Sequence, residues 1–340
     1  MMNLAGTPQL DFAEIARLVN TNYDVEVWGE IEELNERDGQ RVLKCNILDG
    51  KPLIVRLCAP IRRYERVLSD TGALLLLSRG GFPVPHLRLT VKGERAFQWQ
   101  TGCWAYVLDY IEGEQPEMDL PTLNYIAGLL AEIHDLVHTT AEYPGLVNWL
   151  EELPVSIERA ERASLHPQWG KIAREVAESL RSLPDLSVLP LGLIHTDVHE
   201  GNMLRTSDGE LYLIDWEDAG LGEMVFDMAL VLGWNCVWPK NTFIALFGSR
   251  LPDRYDFDEE YSRAFLHAYQ KVRKLSEQEV NLLGAAIRFV MGWFASRDIE
   301  REIISPGISD GLAITNWAIM RSVTPLWERK LAQWALETAG

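Results

Sequence analysis

The sequence predicts an α+β chain of two unequal lobes: a small β-rich lobe over residues 1–108, a short polar hinge at 109–113, and a larger, mainly helical lobe over 114–340. Three observations carry that reading. Short apolar runs separated by turn residues dominate the N-terminal third, a helical apolar period sets in beyond residue 120, and one strand-turn-strand segment interrupts the helices between 191 and 214.

Taken in order, residues 25–33, 41–47 and 52–58 read as a three-stranded meander, with 35–39 as its first turn and Asp49-Gly50 as its second. Asp-Gly supplies the positive φ angles that a tight hairpin needs. After Pro60 the pattern becomes a helix over 64–77, stopped by Gly80-Gly81 and the stretch Phe82-Pro-Val-Pro85. Residues 103–108 form one more buried strand leading into the hinge. Leu123, Ile126, Leu129, Leu130, Ile133, Leu136 and Val137 then lie on one face of a core helix. Further helical patterns cover 155–183, 261–272, 276–293 and 311–334. The embedded strands are 192–194, 203–204 and 210–214, with a turn at 207–209.

Composition narrows the function. The 340 residues carry 50 acidic and 32 basic side chains, a formal charge of −18, which argues against nucleic acid as a partner because phosphate neutralisation needs clustered Lys and Arg. Cys45, Cys58, Cys103 and Cys236 show no C-x-x-C pairing, so neither a zinc site nor a disulfide framework is expected. The N-terminal stretch lacks a basic segment followed by an apolar one. The apolar runs 72–77 and 225–238 are short or carry Asp227 and Asn235. No membrane partner and a cytoplasmic location are the expectations.

The informative segment is His195-Thr-Asp197-Val-His199-Glu-Gly-Asn202, followed by Ile214-Asp215-Trp-Glu217-Asp218. Asp197 follows a buried strand, Asn202 begins the next strand, and Asp215 ends the return strand. The hairpin is expected to bring Asn202 and Asp215 together at its open end as two oxygen donors. Such a pair suits Mg²⁺, which keeps waters and takes substrate phosphate oxygens as its other ligands. Asp197 is then left to accept a hydroxyl proton. From His195 to Asp227 there are nine acidic residues against Arg205 alone. If several faced one cleft, their repulsion would call for a cation. Asp208, Glu210 and Glu223 fit a solvated acidic surface instead.

H-x-D-x-x-x-x-N followed by I-D resembles the catalytic loop and metal-binding aspartate of eukaryotic-like kinases. More narrowly, residues 195–202, Ile214-Asp-Trp-Glu217 and Val225-Phe-Asp227-Met-Ala look like the aminoglycoside phosphotransferase and choline kinase family. The Pro83-Val-Pro85 stretch, the hinge 107–113 and Leu129-Leu-Ala-Glu-Ile-His134 sit in that family's order. Residues 234–238, 275–279 and 286–289 are most similar to its homoserine kinase type II branch.

The resemblance implies a bilobal protein-kinase-like fold, with ATP and Mg²⁺ as cofactors. By that resemblance Asp197 is the catalytic base or orienting group, and Asn202 and Asp215 hold the metal. Arg56, in Val55-Arg56-Leu57, stands where kinases place a phosphate-gripping Lys. A guanidinium stays charged and can bind phosphate with two donors. Its partner acid on the following helix is expected to be Asp70, with Glu65 as second choice. The hinge residues Tyr110 and Ile111 would border the nucleotide. His195 and Asp227 support the catalytic loop. No G-x-G-x-x-G loop is present, and the corresponding turn at 35–39 is acidic.

On the acceptor side, Glu217 and Asp218 are candidate contacts to substrate or metal, with Glu112, Glu114 and Glu117 as further acids for an ammonium group. Trp234, Trp238, Trp293 and Trp317 could form an aromatic wall. Arg288, within an apolar helical run, would take a carboxylate from the protein or from an amino-acid substrate. The expectation is an ATP- and Mg²⁺-dependent kinase of a small, cationic or amine-bearing hydroxyl acceptor, with a homoserine-like compound first. Choline, ethanolamine or an aminoglycoside are the alternatives, and a non-catalytic nucleotide-binding scaffold is the rival outside enzymology.

Overall fold

The computed structural model describes residues 10–37, 39–59, 62, 64–137, 149–238, 254–307 and 310–338. The chain separates into two compact units. One comprises the described residues up to 115 together with 201–219, and the other comprises 116–200 and the chain from 220 onward. The segment that carries Asn202 and Asp215 therefore groups with the N-terminal residues, although it follows residue 114.

The first unit is built on an antiparallel sheet of β1 (Val27–Arg37), β2 (Gln40–Ile47), β3 (Leu53–Leu57), β4 (Leu87–Arg88), β5 (Phe97–Gln100) and β6 (Cys103–Asp109). Its order is β1-β2-β3-β6-β4, with β5 also on β6. The meander expected from the turn residues is present. β1 runs further than the sequence suggested, through Arg37, so its turn is tighter, and Asp38 lies outside the described residues. Alternation sorts β3 into two faces. Leu53, Val55 and Leu57 are buried against α1 (Phe12–Tyr23), whose Ile15, Val19 and Tyr23 complete a core with Leu43, Cys45, Phe97, Ala105 and Val107. Arg56 belongs to the other face. Helix α2 (Tyr64–Arg79) follows, and the hairpin β8 (Met203–Arg205) and β9 (Leu211–Leu213) completes this unit.

The second unit contains α3 (Leu120–Val137), α4 (Glu152–Ala163), α5 (Gly170–Arg181), β7 (Leu191–Ile194), β10 (Gly220–Glu223) and α6 (Val225–Asn235). It continues with β11 (Val237–Trp238), β12 (Asp256–Phe257), α7 (Glu259–Val272), α8 (Glu277–Ile304), α9 (Asp310–Ser322) and α10 (Pro325–Glu337). Two of the helical stretches read from the sequence are each two helices. Residues 155–183 break around Pro167, which lacks an amide hydrogen for a continuous ladder. The stretch 311–334 breaks where Thr324 caps α10 and Pro325 occupies its first turn. Helix α8 starts at a capping box of Ser276 and Glu279 and runs to Ile304, beyond the expected end. Helix α6 is buried almost all round, and it places the carboxylate of Asp227 in the interior. None of the four cysteines is in a disulfide. Among the described residues no helix is long and apolar enough to cross a membrane.

Candidate active site

In the first unit, β3 holds Arg56 between its neighbours on β2 and β6, opposite Val42 and Tyr106. The guanidinium donates to Asp215 Oδ1 at 2.6 Å and to Glu217 Oε2 at 3.1 Å. Burial opposes the charge on Arg56, and the neighbouring negative groups, Asp215 and Glu217 among them, outweigh it, so the guanidinium is held firmly protonated. Asp215, two residues beyond β9, lies in the left-handed region at φ 66, which turns the chain sharply into the 216–218 turn. Met203 pairs with Leu213, and the Ile214 amide donates to the Asn202 carbonyl at 2.8 Å. Asn202 and Asp215 thus flank the same end of the hairpin, as the turn-bounded strands predicted.

Asp70 does not pair with Arg56. Its side chain is fully buried on α2, where it accepts from Arg62, with Nε at 3.1 Å, and lies 3.3 Å from Arg66. Burial pushes its carboxyl up to about 8 against the pull of both arginines. The same arginines approach Asp218 at 3.8 Å, and Arg62 also donates to the Glu217 carbonyl. The acids that neutralise Arg56 come from the segment after β9, not from the helix. Burial, with Asp215 and Asp218 nearby, raises the Glu217 carboxyl despite Arg56 and Arg62. Tyr110 donates its amide to the Pro52 carbonyl at 3.1 Å and sits under the Lys44 ammonium, 4.2 Å from the ring centre. Ile111 is half-buried in the following coil. Glu114 exchanges backbone hydrogen bonds with Arg205 at the end of β8.

In the second unit, the loop after β7 carries Asp197. The residue before it, Thr196, has φ 74, unusual for a β-branched residue. Asp227 on α6 fixes this backbone by accepting the His195 amide at 2.7 Å and the Thr196 amide at 2.8 Å. His134 Nε2 meets the same Asp227 carboxylate at 3.3 Å, and its Nδ1 meets the Tyr269 hydroxyl at 2.7 Å. Arg273 donates to that hydroxyl and to Glu279. The Asp197 amide donates to His195 Nδ1 at 3.3 Å. The Asp197 side chain keeps 37% of its exposure, enough for a hydroxyl to reach it, and lies 3.6 Å from His199 Nε2. Burial works to raise the Asp197 carboxyl. The hydrogen bond and charge of His199, with the charges of His195 and Arg297, outweigh it and hold the group below the usual carboxylate range.

Several expected acceptor contacts have other partners. Arg288 pairs with Glu328 at 3.2 Å and with the Ser182 hydroxyl, so its charge is neutralised within the protein. Trp317 donates to Glu175 and is covered by Arg321, and Trp293 stacks edge-on against Trp149 and Phe294. Trp238 is mainly exposed. Trp234 stays near the loop that carries Asp197, 5.9 Å from the His199 ring and 4.8 Å from Phe294, with its indole donating to Asn316. The sequence gives no signal for Arg62, which reaches Glu217 and Asp218 from a segment without periodicity. For Arg297 a signal exists: Trp293, Phe294 and Arg297 fall at helical spacing on one face of α8.

The donor chemistry fits a hard divalent cation. Among the described residues no group of three His, Cys, Asp or Glu side chains could enclose a metal. Asn202 and Asp215 are oxygen donors, and so sparse a set suits an ion that draws its remaining ligands from phosphate and water.

A family profile described as the phosphotransferase enzyme family matches residues 30–275. The chain belongs to that family. Among curated relatives, thiamine kinase of Escherichia coli O6:K15:H31 (strain 536 / UPEC) is 30% identical over 182 residues, 54% of this chain and 53% of that enzyme. The chain thus spans about half the length of the curated relatives it matches. Among solved structures, an amicoumacin kinase complexed with AMP-PNP and Ca²⁺ has a TM-score of 0.71 at 17% identity, covering 95% of this chain and 97% of that one. A choline kinase of Streptococcus pneumoniae has a TM-score of 0.62 at 17% identity, covering 91% and 97%. A microcompartment-associated aminopropanol kinase has a TM-score of 0.60 at 17% identity, covering 96% and 99%. The fold is the protein-kinase-like one.

Proposed function

We propose that this phosphotransferase moves the γ-phosphoryl group of ATP to the hydroxyl of a small, amine-bearing metabolite. The observation that carries the reading is Asp197: a half-exposed carboxylate held below its usual range, on a backbone anchored by Asp227, in an H-x-D-x-x-x-x-N loop. The acceptor oxygen bonds to the γ-phosphorus as the β,γ-bridging oxygen leaves with ADP, and the hydroxyl proton passes to Asp197. A weak base suffices when the transition state is loose and the proton moves late, so orientation is the main task of Asp197. Asn202 and Asp215 would hold the divalent metal, and Arg56 would contact the phosphates. The metal, when bound, neutralises charge on the phosphate oxygens. The AMP-PNP and Ca²⁺ of the amicoumacin kinase complex support nucleotide and divalent-metal use. The thiamine, choline and aminopropanol kinases among the similar proteins favour an amine-bearing acceptor.

The test is metal-dependent ADP release over a panel of homoserine, 3-amino-1-propanol, choline, ethanolamine, thiamine and an aminoglycoside. Asp197→Asn should lower kcat by roughly a hundred- to ten-thousand-fold. Turnover that survives the substitution overturns the role of Asp197, and a chain that binds ATP but releases no ADP with any acceptor is a scaffold.

A further inference from the structure

Behind Asp227 lies a chain of buried polar side chains that runs to the first turn of α8, all within the second unit. Arg273 Nη1 donates to Glu279 at 2.8 Å and to the Tyr269 hydroxyl at 3.2 Å. That hydroxyl meets His134 Nδ1 at 2.7 Å, and His134 Nε2 meets Asp227 Oδ2 at 3.3 Å. His134, Asp227 and Tyr269 are fully buried, and Arg273 and Glu279 nearly so. Glu279 fixes the cation, because its other oxygen accepts the Ser276 amide at 2.8 Å in the capping box of α8.

The hydrogens of this chain have one arrangement that leaves no buried donor without an acceptor. Arg273 can only donate, so the Tyr269 oxygen accepts from it and the hydroxyl hydrogen points at His134 Nδ1. Nδ1 then accepts, and the imidazole hydrogen stands on Nε2, facing a carboxylate that can only accept. Every donor points the same way, from a guanidinium at one end to a carboxylate at the other, an order in which each bond polarises the next. Burial raises the Tyr269 phenol against the pull of Arg273, so the phenol keeps the hydrogen that this order needs. The opposite tautomer would set a bare Nε2 lone pair against Asp227 and leave the hydroxyl hydrogen with no acceptor among the described residues.

Resting on the kinase reading above, we propose that Tyr269 is a positioning residue for phosphoryl transfer: its hydroxyl fixes the hydrogen of His134 on Nε2, and His134 thereby holds the Asp227 carboxylate under the loop that carries Asp197. Asp227 Oδ2 accepts from His134 and from the His195 amide, and Oδ1 accepts the Thr196 amide. Without the Nε2 hydrogen the carboxylate loses a donor that sets its rotation. Thr196, at φ 74, then loses a restraint on a conformation that a β-branched residue rarely adopts. Asp197, the next residue, turns with it.

Tautomer and turnover are read separately. In protein carrying nitrogen-15 histidine, the His134 signals, assigned by their loss in His134→Gln, should show the hydrogen on Nε2 and an accepting Nδ1. In Tyr269→Phe they should show the tautomers mixed or exchanged. The same substitution should lower kcat roughly tenfold with every acceptor that supports turnover, with KM for ATP within about twofold, at a temperature where a melt shows the variant folded. Because Tyr269 acts through His134, Tyr269→Phe should cost little further kcat in the His134→Gln background. A wild-type His134 with its hydrogen on Nδ1 or on both nitrogens overturns the inference, and this arm needs no substitution at Tyr269. A tautomer or a kcat unmoved in Tyr269→Phe, or two losses that multiply in full, also overturns it, and each leaves the kinase reading intact. No ADP release from any acceptor by the wild-type chain overturns the kinase reading, and the positioning role with it.

Discussion

Thr196 and Asp215 both hold left-handed backbone conformations, and each adjoins a residue or is a residue assigned to the chemistry. Such a conformation costs about 1–3 kcal/mol and persists only where neighbours fix it. At Thr196 the fixing group is Asp227, whose two oxygens accept two consecutive amides while His134 meets the same carboxylate. A buried carboxylate with these donors is stable, and an amide in its place is not equivalent. Asn at 227 would offer one carbonyl oxygen and turn its NH₂ group toward a backbone N–H. Asp227→Asn should therefore cost about 2–4 kcal/mol of stability, seen as a lower thermal midpoint. It should also lower kcat by roughly tenfold or more as Thr196 relaxes and Asp197 loses its orientation. KM for ATP should change little, because the groups assigned to the nucleotide belong to the other unit. A variant with full kcat would detach Asp227 from the placement of Asp197.

Among the elements, the β8–β9 hairpin is the one on which the proposed metal ligands depend, and it is also tied to the segment after β6. Glu114 and Arg205 exchange backbone hydrogen bonds of 3.0 and 2.8 Å, and a Cβ at Gly113 would meet the Arg205 carbonyl oxygen at 2.9 Å. Only glycine allows this approach. Gly113→Ala should push β8 away, cost about 1–2 kcal/mol, and raise KM for ATP severalfold, measured by steady-state kinetics beside a thermal melt. An unchanged KM would show that the bridge does not govern the hairpin. This element was legible in the sequence because its signals are local: a turn at 207–209 between apolar runs, with Asn202 and Asp215 just outside them. The same holds for the β1–β2–β3 meander and the long helices. Helix α1 and strand β10 are not apparent from the sequence pattern, the second because its sequence Gly-Leu-Gly-Glu has little strand character. The ion pairs were the least legible part. Arg56 and Asp215 are 159 positions apart, and counting along α2 assigned Asp70 to Arg56 when the fold gives Asp70 to Arg62 and Arg66.

At the scale of the whole molecule, a formal charge of −18 sets the terms on which a triphosphate can bind. ATP adds about four negative charges to a chain already repelling them, and Arg56 is neutralised by Asp215 and Glu217. Nucleotide alone would have to separate a 2.6 Å ion pair and leave Asp215 beside Glu217 without its cation. A divalent metal on Asp215, as proposed, would remove that conflict, because it would replace the positive charge that Arg56 withdraws toward phosphate. Nucleotide and metal binding should therefore be strongly coupled. At constant ionic strength, millimolar ATP with EDTA should barely raise the thermal midpoint. Saturating ATP with Mg²⁺, near a hundred times its Kd, should add about 2.7 kcal/mol, or roughly 4 °C for a chain of this length. Asp215→Asn should shrink the difference between the two conditions from both sides. It removes the carboxylate that competes for Arg56, so ATP alone stabilises more, and it weakens the metal site, so Mg²⁺ adds less. Equal stabilisation with and without Mg²⁺ in the wild-type chain would mean that Arg56 does not exchange Asp215 for phosphate. A coupling unchanged in Asp215→Asn would place the metal on other ligands.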